Sequence, residues 1–173
     1  MKIPNRDGMK GRNTDRRYTY EKRFVIPFEK VLCAGCYVYE PIEVGATHAC
    51  DLHEGSGKRL AEYGWKGEFK IGDVRNLPYE DKEMDCVCCC EVLEHLENMD
   101  DVKKAISEIL RVGKNFLISV PYKSDVPAAS HNNVFDEEIL KNLLPENTHI
   151  FVKRPFMFAS NKENKSAFLA YEK

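Results

Sequence analysis

The chain has 173 residues, of which 31% are charged and 43% hydrophobic, and its formal net charge is −2. This length fits one domain of ordinary size, and the composition is typical of a soluble globular protein. No apolar run approaches the roughly 20 residues that a membrane-spanning helix needs, so we expect no membrane partner. The basic N-terminus lacks the apolar segment of a secretory signal, which favours a cytoplasmic location.

Basic residues are concentrated at the start of the chain. The first 24 residues contain eight lysines and arginines against three acidic residues. We therefore divide the chain into a basic N-terminal arm over residues 1–24 and one folded domain over residues 25–173. Charge alone favours a solvated arm, and an anionic substrate or RNA as its partner is the alternative.

The first half of the domain predicts three strands and a helix. Apolar and small residues at 29–36 predict a short buried strand, and residues 47–52 predict a second one that ends in acidic Asp51. Residues 56–64 predict a short helix that ends at a glycine, and residues 68–74 predict a third strand.

The second half continues this alternation. Residues 85–92 lack polar alternation until Glu91, which is typical of a strand buried on both faces. Apolar residues at helical spacing predict a helix over 100–112. The remaining predicted elements are, in chain order, a strand at 115–121, a helix at 136–144 and two C-terminal strands at 149–160 and 165–173.

Strands that alternate with helices predict an α/β fold. We expect a doubly wound, mostly parallel, seven-stranded sheet with a C-terminal antiparallel hairpin. Ligands bind such sheets beyond the carboxyl ends of the strands, so candidate functional residues are those that follow the strands.

Four segments in fixed order resemble one protein family. They are VLCAGC, HACDL, GDVRNLPYEDKEMDCVCCCEVLEHL and FLISVP, which begin at residues 31, 48, 72 and 116. Together they are similar to the class I methyltransferases that use S-adenosylmethionine, with a domain like that of methyltransferase type 11. The third segment carries most of the resemblance, because it joins an acidic residue after one strand to Glu-Val-Leu-Glu-His after the next.

The resemblance implies a set of cofactor-binding residues. Asp51 would accept hydrogen bonds from both ribose hydroxyls, and Asp73 would accept one from the adenine amino group. The backbone of Val74 would donate to a ring nitrogen, and Leu77 would pack nearby. Glu91, at the end of the fourth strand, completes the implied set.

The first motif departs from the family pattern. Members carry a glycine-rich turn after the first strand, and here only Gly35 remains of it. Asp51 follows 16 positions later, against roughly 20 in the comparable dinucleotide motif. Residues 40–45 are too few for a crossover helix, so we expect a loop there or a modified mode of cofactor binding. A methyltransferase-like binding or regulatory module without catalysis is therefore an alternative function.

The seven cysteines lie on three strands that the fold makes neighbours. Free cysteine packs as a small hydrophobic residue, so burial explains their number and position better than zinc or redox chemistry. Cys33 and Cys36 form a C-x-x-C pair, but a zinc site needs sulfur atoms that point toward the same ion. Successive residues of a strand face opposite sides of a sheet, which argues against zinc binding by this pair.

The five residues Glu-Val-Leu-Glu-His at 91–95 suggest side chains that act on the methyl acceptor. Glu94 and His95 follow the fourth strand, and His131 precedes a predicted helix after the fifth. By resemblance, these three residues would face the methyl acceptor, and a histidine there suits a general base.

A metal-binding subset of the family offers a second interpretation of the same residues. It includes ubiquinone-pathway catechol O-methyltransferases and small-RNA 3′-end 2′-O-methyltransferases, in which two carboxylates and two histidines hold a divalent cation. The corresponding residues here are Glu91, Glu94, His95 and His131. Mixed oxygen and nitrogen ligands suit Mg²⁺ or Mn²⁺.

The sequence therefore predicts an S-adenosylmethionine-dependent methyltransferase that acts on oxygen or nitrogen of a small or anionic acceptor. The alternatives are the non-catalytic module and a metal-assisted RNA or catechol O-methyltransferase. The resemblance also implies that the N-terminal arm forms a lid, with Tyr18, Tyr20 and Phe24 in it. As part of a lid, Arg16, Arg17 or Arg23 would hold a carboxylate or phosphate of the substrate, unless these residues belong to a solvated helix face.

Overall fold

A computed structural model of the chain describes residues 12–35, 39–123, 125 and 128–162. The strands in these residues are β1 Val31–Ala34, β2 His48–Asp51, β3 Glu68–Ile71, β4 Met84–Cys90, β5 Gly113–Pro121, β6 His149–Lys153 and β7 Phe156–Ser160. They form one sheet in the order β3-β2-β1-β4-β5-β7-β6. The neighbouring pairs among β1 to β5 are parallel, and β7 is antiparallel to β5 and β6. The predicted fold class is confirmed.

The helices of the described residues cover both faces of this sheet. They are α1 Arg12–Val25, α2 Glu40–Val44, α3 Glu54–Glu62, α4 Met99–Val112 and α5 Glu137–Leu143. Buried residues of α4 and α5 join one apolar cluster, and those of α1, α2 and α3 join another on the opposite face. No helix among the described residues has the length and apolar character needed to cross a membrane.

Alternation along β4 distributes its cysteines between the two faces. Cys89 belongs to the cluster under α4, whereas Cys86, Cys88 and Cys90 belong to the cluster under α1. These four, together with Cys33 and Cys50, are buried and form no disulfide bond within the described residues. Burial raises the pKa of the Cys89 and Cys90 thiols, which keeps them in the unreactive thiol form. Cys36 lies outside the described residues.

The first crossover contains a helix, which corrects the expectation that residues 40–45 are too few for one. Pro41 occupies the first turn of α2, where a missing N–H costs no hydrogen bond. Gly45 ends the helix in a left-handed conformation, and its N–H donates to the Pro41 carbonyl at 3.1 Å. A single turn is stable here because it packs against α1.

The C-terminal hairpin is formed by different residues from those predicted. The segment expected as one strand over 149–160 is two antiparallel strands, β6 and β7, joined by a turn at Arg154 and Pro155. Proline lacks a backbone donor and favours turns, which explains the break. Residues 165–173, predicted as the closing strand, lie outside the described residues.

The described part of the N-terminal segment is a helix that packs on the sheet. Tyr20 and Phe24 of α1 are each only 1% exposed. The Tyr20 ring lies 4.5 Å from the Phe158 ring of β7, measured between centroids. Helix α1 continues one residue past the domain boundary that we placed at residue 24, and residues 1–11 lie outside the described part.

Candidate active site

The carboxyl ends of the parallel strands border a cleft of about 360 Å³. Six of the residues predicted from the sequence line it, and the full lining is Gly35, Asp51, Leu52, His53, Gly72, Asp73, Val74, Arg75, Glu91, Val92, His95 and Leu96. The order of β2, β1 and β4 in the sheet explains this convergence, because each of these strands ends at the same edge.

Asp51 ends β2 at the rim of the cleft. Its Oδ1 accepts a hydrogen bond of 2.8 Å from the His53 backbone N–H, in an Asx turn that fixes the side chain. The structure gives Oδ2 no hydrogen-bond donor among the described residues. A fixed carboxylate that lines the cleft and has an oxygen outside its own turn's hydrogen bond is suited to accept hydrogen bonds from hydroxyl groups of a ligand.

Asp73 lies across the cleft, two residues after β3. Its carboxylate binds Arg75 through the Nε and Nη2 groups, with Nε at 3.0 Å from each oxygen and Nη2 at 2.6 Å from Oδ2. The Arg75 backbone N–H also donates to Oδ1, at 2.8 Å. These bonds from Arg75 lower the pKa of the Asp73 carboxyl, so it is ionised at neutral pH.

Val74 and Leu77, the other two residues predicted to contact the cofactor near Asp73, differ in position. Val74 lines the cleft beside it. Leu77 is 3% exposed and belongs to the core under α4, where its backbone N–H donates to Glu108 at 2.8 Å. Leu77 therefore supports the loop from behind and is not part of the cleft lining.

Gly35 follows β1 in a left-handed conformation, with φ of 74°. A Cβ built at this position would lie 2.8 Å from Val92 Cγ1, closer than real Cβ contacts. Its N–H donates to the Cys50 carbonyl at 2.8 Å. The single glycine that remains of the family turn thus has both a backbone and a packing reason to be glycine.

Glu91 turns the chain at the end of β4. It is a non-glycine residue with φ of 56°, which is uncommon and marks a strained turn. The Ser119 hydroxyl of β5 donates to Glu91 Oε1 at 3.0 Å. Burial raises the pKa of the Glu91 carboxyl to about 7, against the opposing effect of Arg17.

Glu94, His95 and His131 come together next to the cleft. One possible ligand atom from each lies within 4.8 Å of the others, and the two imidazole rings are 4.9 Å apart between centroids. Glu94 is 1% exposed, and its Oε2 has no hydrogen-bond partner among the described residues. Burial, followed by the charge of Glu91, raises the pKa of Glu94 to about 8.

The loop after β5 holds this group in place. The backbone N–H groups of Asn132 and Asn133 donate to the Glu94 carbonyl at 2.8 and 3.1 Å. The Asn133 side chain donates to the Leu96 carbonyl at 2.6 Å. His95 Nδ1 lies 3.0 Å from the Ser130 carbonyl oxygen. Because a carbonyl only accepts, Nδ1 carries the proton of the neutral ring and Nε2 is left with a lone pair.

A buried charged group under α1, which the sequence analysis did not identify, lies behind Glu91. The Arg17 guanidinium donates to both oxygens of Glu40 at 3.0 Å and to Glu21 at 2.8 Å. Ser119 connects this group to Glu91, because its hydroxyl lies 3.3 Å from Glu21 as well. Arg17 is 5% exposed, so it belongs neither to a solvated helix face nor to a substrate-facing surface.

Two features in the sequence could have indicated this group. Arg17 and Glu21 are four residues apart, at ion-pair spacing on a helix. Tyr20 and Phe24 have the same spacing and mark the buried face. The partner on α2, Glu40, is 23 residues away from Arg17 in the chain, and nothing in the sequence pairs the two.

Comparison with known proteins relates this chain to a family. The model of a family described as a methyltransferase domain matches residues 31–116. Norajmaline N-methyltransferase from Rauvolfia serpentina is 30% identical over 82 residues, which are 45% of this chain and 27% of that protein. The chain thus spans about a quarter of the length of this curated relative.

Solved structures share the fold at low sequence identity. A protein from Pyrococcus horikoshii superposes with a TM-score of 0.68 and 17% identity, over 91% of this chain and 94% of the other. Magnesium protoporphyrin IX methyltransferase from Synechocystis, solved with bound S-adenosylmethionine, superposes with a TM-score of 0.64 and 18% identity, over 86% of this chain and 80% of that one. The matched domain and the shared sheet topology show that the chain belongs to the class I S-adenosylmethionine-dependent methyltransferases.

Proposed function

We propose that the protein transfers a methyl group from S-adenosylmethionine to an oxygen or nitrogen of a small or anionic acceptor. The observation that carries this proposal is that Asp51 and Asp73 line one cleft, at the ends of the neighbouring strands β2 and β3. The cleft volume of about 360 Å³ lies within the roughly 300–1,000 Å³ of small-molecule sites.

The residues of the cleft suit the parts of the cofactor. Asp51 supplies a fixed carboxylate for the ribose hydroxyls, and Asp73 supplies an ionised acceptor for the amino group of adenine. Gly35 lines the cleft just after β1, so its backbone is placed to contact a bound ligand. Glu91 places a carboxyl group near this turn, where it would face the ammonium group of the methionine part.

When bound, the cofactor supplies an activated methyl group, so the protein's main tasks are alignment and exclusion of water. His95 Nε2 is the candidate base, because its lone pair is left available by the bond between Nδ1 and Ser130. It would take the proton of the acceptor hydroxyl or ammonium group. Glu94 lies 3.9 Å from this nitrogen and would stabilise the protonated imidazole when ionised.

Isothermal titration with S-adenosylmethionine and S-adenosylhomocysteine tests the proposal. We expect Asp51→Ala to weaken both affinities at least tenfold, because hydrogen bonds to charged groups contribute about 1.5–3 kcal/mol each. Glu54→Ala, which removes an exposed carboxylate nearby on α3, is the matched control and should bind as the wild type does. A wild-type protein that binds neither compound would contradict the proposal and favour a module without catalysis.

A metal-assisted transfer is a second candidate, and the buried Glu94 favours it. Its unpartnered Oε2 would gain a ligand if a divalent cation bound between Glu94, His95 and His131. Glu91 lies outside this group of three, so the set differs from the four ligands that the resemblance implied. Oxygen and nitrogen ligands would suit Mg²⁺ or Mn²⁺, and the cation would lower the pKa of a bound acceptor hydroxyl.

Titration of Mn²⁺ into the cofactor-saturated protein tests this second candidate. His131→Ala should weaken Mn²⁺ binding at least tenfold, whereas His149→Ala, which changes an exposed histidine on β6, should leave it unchanged. Equal Mn²⁺ affinity in all three proteins would exclude the site.

A further inference from the structure

Arg75 lines the cleft, and its side chain binds Asp73, one of the residues predicted to contact the cofactor. An ionised carboxylate has about four lone-pair sites. Three N–H groups of Arg75 donate to the Asp73 carboxylate: the backbone N–H donates to Oδ1, Nη2 donates to Oδ2, and Nε shares its single proton between both oxygens. About one acceptor site therefore remains on Asp73 for a ligand.

A second carboxylate fixes Arg75 from its other side. Arg75 Nη1 donates to Asp101 Oδ2 at 3.0 Å, in the first turn of α4. The side chain of Asp101 is only 9% exposed, and the backbone N–H of this residue donates to the Asn98 cap. The guanidinium thus joins the loop after β3 to the start of a well-packed helix. Such a two-sided ion pair restricts the orientation of Asp73 far more than a single contact does.

We infer that Arg75 is a positioning residue that holds the Asp73 carboxylate for one N–H donor and thereby sets the selectivity of the cleft for a 6-aminopurine. The inference rests on the proposed function, because it takes the base of the cofactor as the group that Asp73 contacts. Arg75 acts through Asp73 and takes no part in methyl transfer.

The chemistry of the remaining acceptor site explains the selectivity. The carboxylate is ionised, since its bonds with Arg75 lower its pKa, and an ionised carboxylate offers no proton. An adenine amino group would donate to it. The carbonyl oxygen of hypoxanthine would instead face a second acceptor and leave both groups unsatisfied. A freely rotating carboxylate could turn away from that oxygen, and the two ion pairs of Arg75 prevent this rotation.

The test compares S-adenosylhomocysteine with S-inosylhomocysteine, in which a carbonyl replaces the amino group, by isothermal titration. The wild type should prefer the adenosine compound about 10- to 100-fold, as expected for one hydrogen bond to a charged group. Arg75→Ala should reduce this ratio to less than about threefold. Arg75→Lys retains the charge beside Asp101 but lacks the planar fork, so it should also lose most of the ratio.

Two further variants separate positioning from a structural effect. In an Asp73→Asn background, Arg75→Ala should change the affinity for S-adenosylhomocysteine less than twofold, because the group it acts through is gone. Lys104→Ala removes a different partner of Asp101, at 3.3 Å, without contacting Asp73, and should keep the wild-type ratio.

Two results would overturn the inference while leaving the proposed function intact. They are an unchanged ratio in Arg75→Ala, including the case in which both compounds bind equally more weakly, and the same effect of Arg75→Ala in the Asp73→Asn background as in the wild type. A wild-type protein that binds no S-adenosylhomocysteine would overturn the proposed function and this inference together.

Discussion

Two glycines around the first crossover share a backbone conformation and differ in their surroundings. Gly35 has φ of 74° and Gly45 has φ of 78°, both in the left-handed region. A Cβ at Gly35 would clash with Val92, another residue of the cleft lining, whereas a Cβ at Gly45 would meet nothing within 4 Å. The pair therefore separates the cost of the conformation from the cost of the close packing.

Alanine substitutions at these two positions should have unequal effects. Gly45→Ala should lower the free energy of unfolding by about 1–2 kcal/mol, the cost of a left-handed alanine. Gly35→Ala should cost about 1–3 kcal/mol more, because Val92 must move. Only Gly35→Ala should weaken S-adenosylhomocysteine binding. Urea denaturation and titration of both variants measure these effects, and equal losses of stability would refute the role of the Val92 contact.

Glu21 is a buried carboxyl group that the proposed reaction does not use. It is 0% exposed, and burial raises its pKa well above the ordinary value of 4.5. A hydrogen bond with Glu40 favours its protonated form further. One arginine, Arg17, faces Glu21, Glu40 and Glu91, so a neutral Glu21 reduces the excess negative charge in this region.

This protonation makes stability depend on pH. The folded state keeps a proton that the unfolded state releases above about pH 4.5, so the free energy of unfolding should fall as pH rises above that value. Glu91 and Glu94, with pKa values raised to about 7 and 8, contribute with the same sign. Glu21→Gln mimics the protonated acid and should flatten the slope between pH 5 and 8 without abolishing it. Guanidinium denaturation at several pH values measures the slope, and an identical slope in the variant would show that Glu21 is ionised.

At the scale of elements, α1 supports the proposed cofactor cleft through α2. Arg17 clamps Glu40, the first residue of α2, which lies five positions after Gly35 in the chain. The apolar face of α1 packs on β6 and β7 through Tyr20. Helix α1 therefore compensates for the short first crossover.

Replacing the buried arginine should be costly. Arg17→Met removes the cation from a site that keeps Glu40 and Glu21, and breaking a buried pair in this way costs about 3–5 kcal/mol. Lys22→Met, an exposed change on the same helix, should cost less than about 0.5 kcal/mol. Urea denaturation of the two variants measures both values. A loss below about 1 kcal/mol for Arg17→Met would show that α1 does not support α2 through this contact.

Local signals predicted the elements better than the connections between them. The buried run 85–92 and the helical spacing over 100–112 correspond to β4 and α4 within one or two residues, because each pattern is long and uniform. Helix α2 was missed because one helical turn is unstable by itself, and the residues around it do not indicate that it packs against α1. The turn at Arg154 and Pro155 was missed because apolar runs at 150–152 and 156–159 lie on both sides of it and read as one strand.

At the scale of the whole molecule, the order of the strands brings distant residues to one cleft. Gly35, Asp51, Asp73 and Glu91 span 56 positions of the chain and line the same volume. The sequence could predict this convergence because parallel strands end at a common edge. It did not predict the clamp of Arg75 on Asp73 and Asp101, since that arrangement depends on side-chain geometry and on the position of α4.

Binding at this cleft should stabilise the entire domain. S-adenosylhomocysteine at 100 times its dissociation constant should add about 2.7 kcal/mol to the free energy of unfolding. For a chain of this length that corresponds to a rise in Tm of about 5–10 °C. The Asp51→Ala protein at the same ligand concentration should shift by about half as much or less, because its affinity is at least tenfold weaker. Differential scanning calorimetry measures both shifts, and equal shifts would place the ligand outside the predicted site.

The central claim is that the cleft between Asp51, Asp73 and Glu91 binds the S-adenosyl cofactor although one glycine remains of the family turn. A crystal structure of the protein with S-adenosylhomocysteine tests this claim most directly. We predict the ribose hydroxyls on Asp51, the adenine amino group on Asp73, and the amino acid part beside Gly35 and Glu91. A ligand bound elsewhere, or an empty cleft at saturating ligand concentration, would contradict the account.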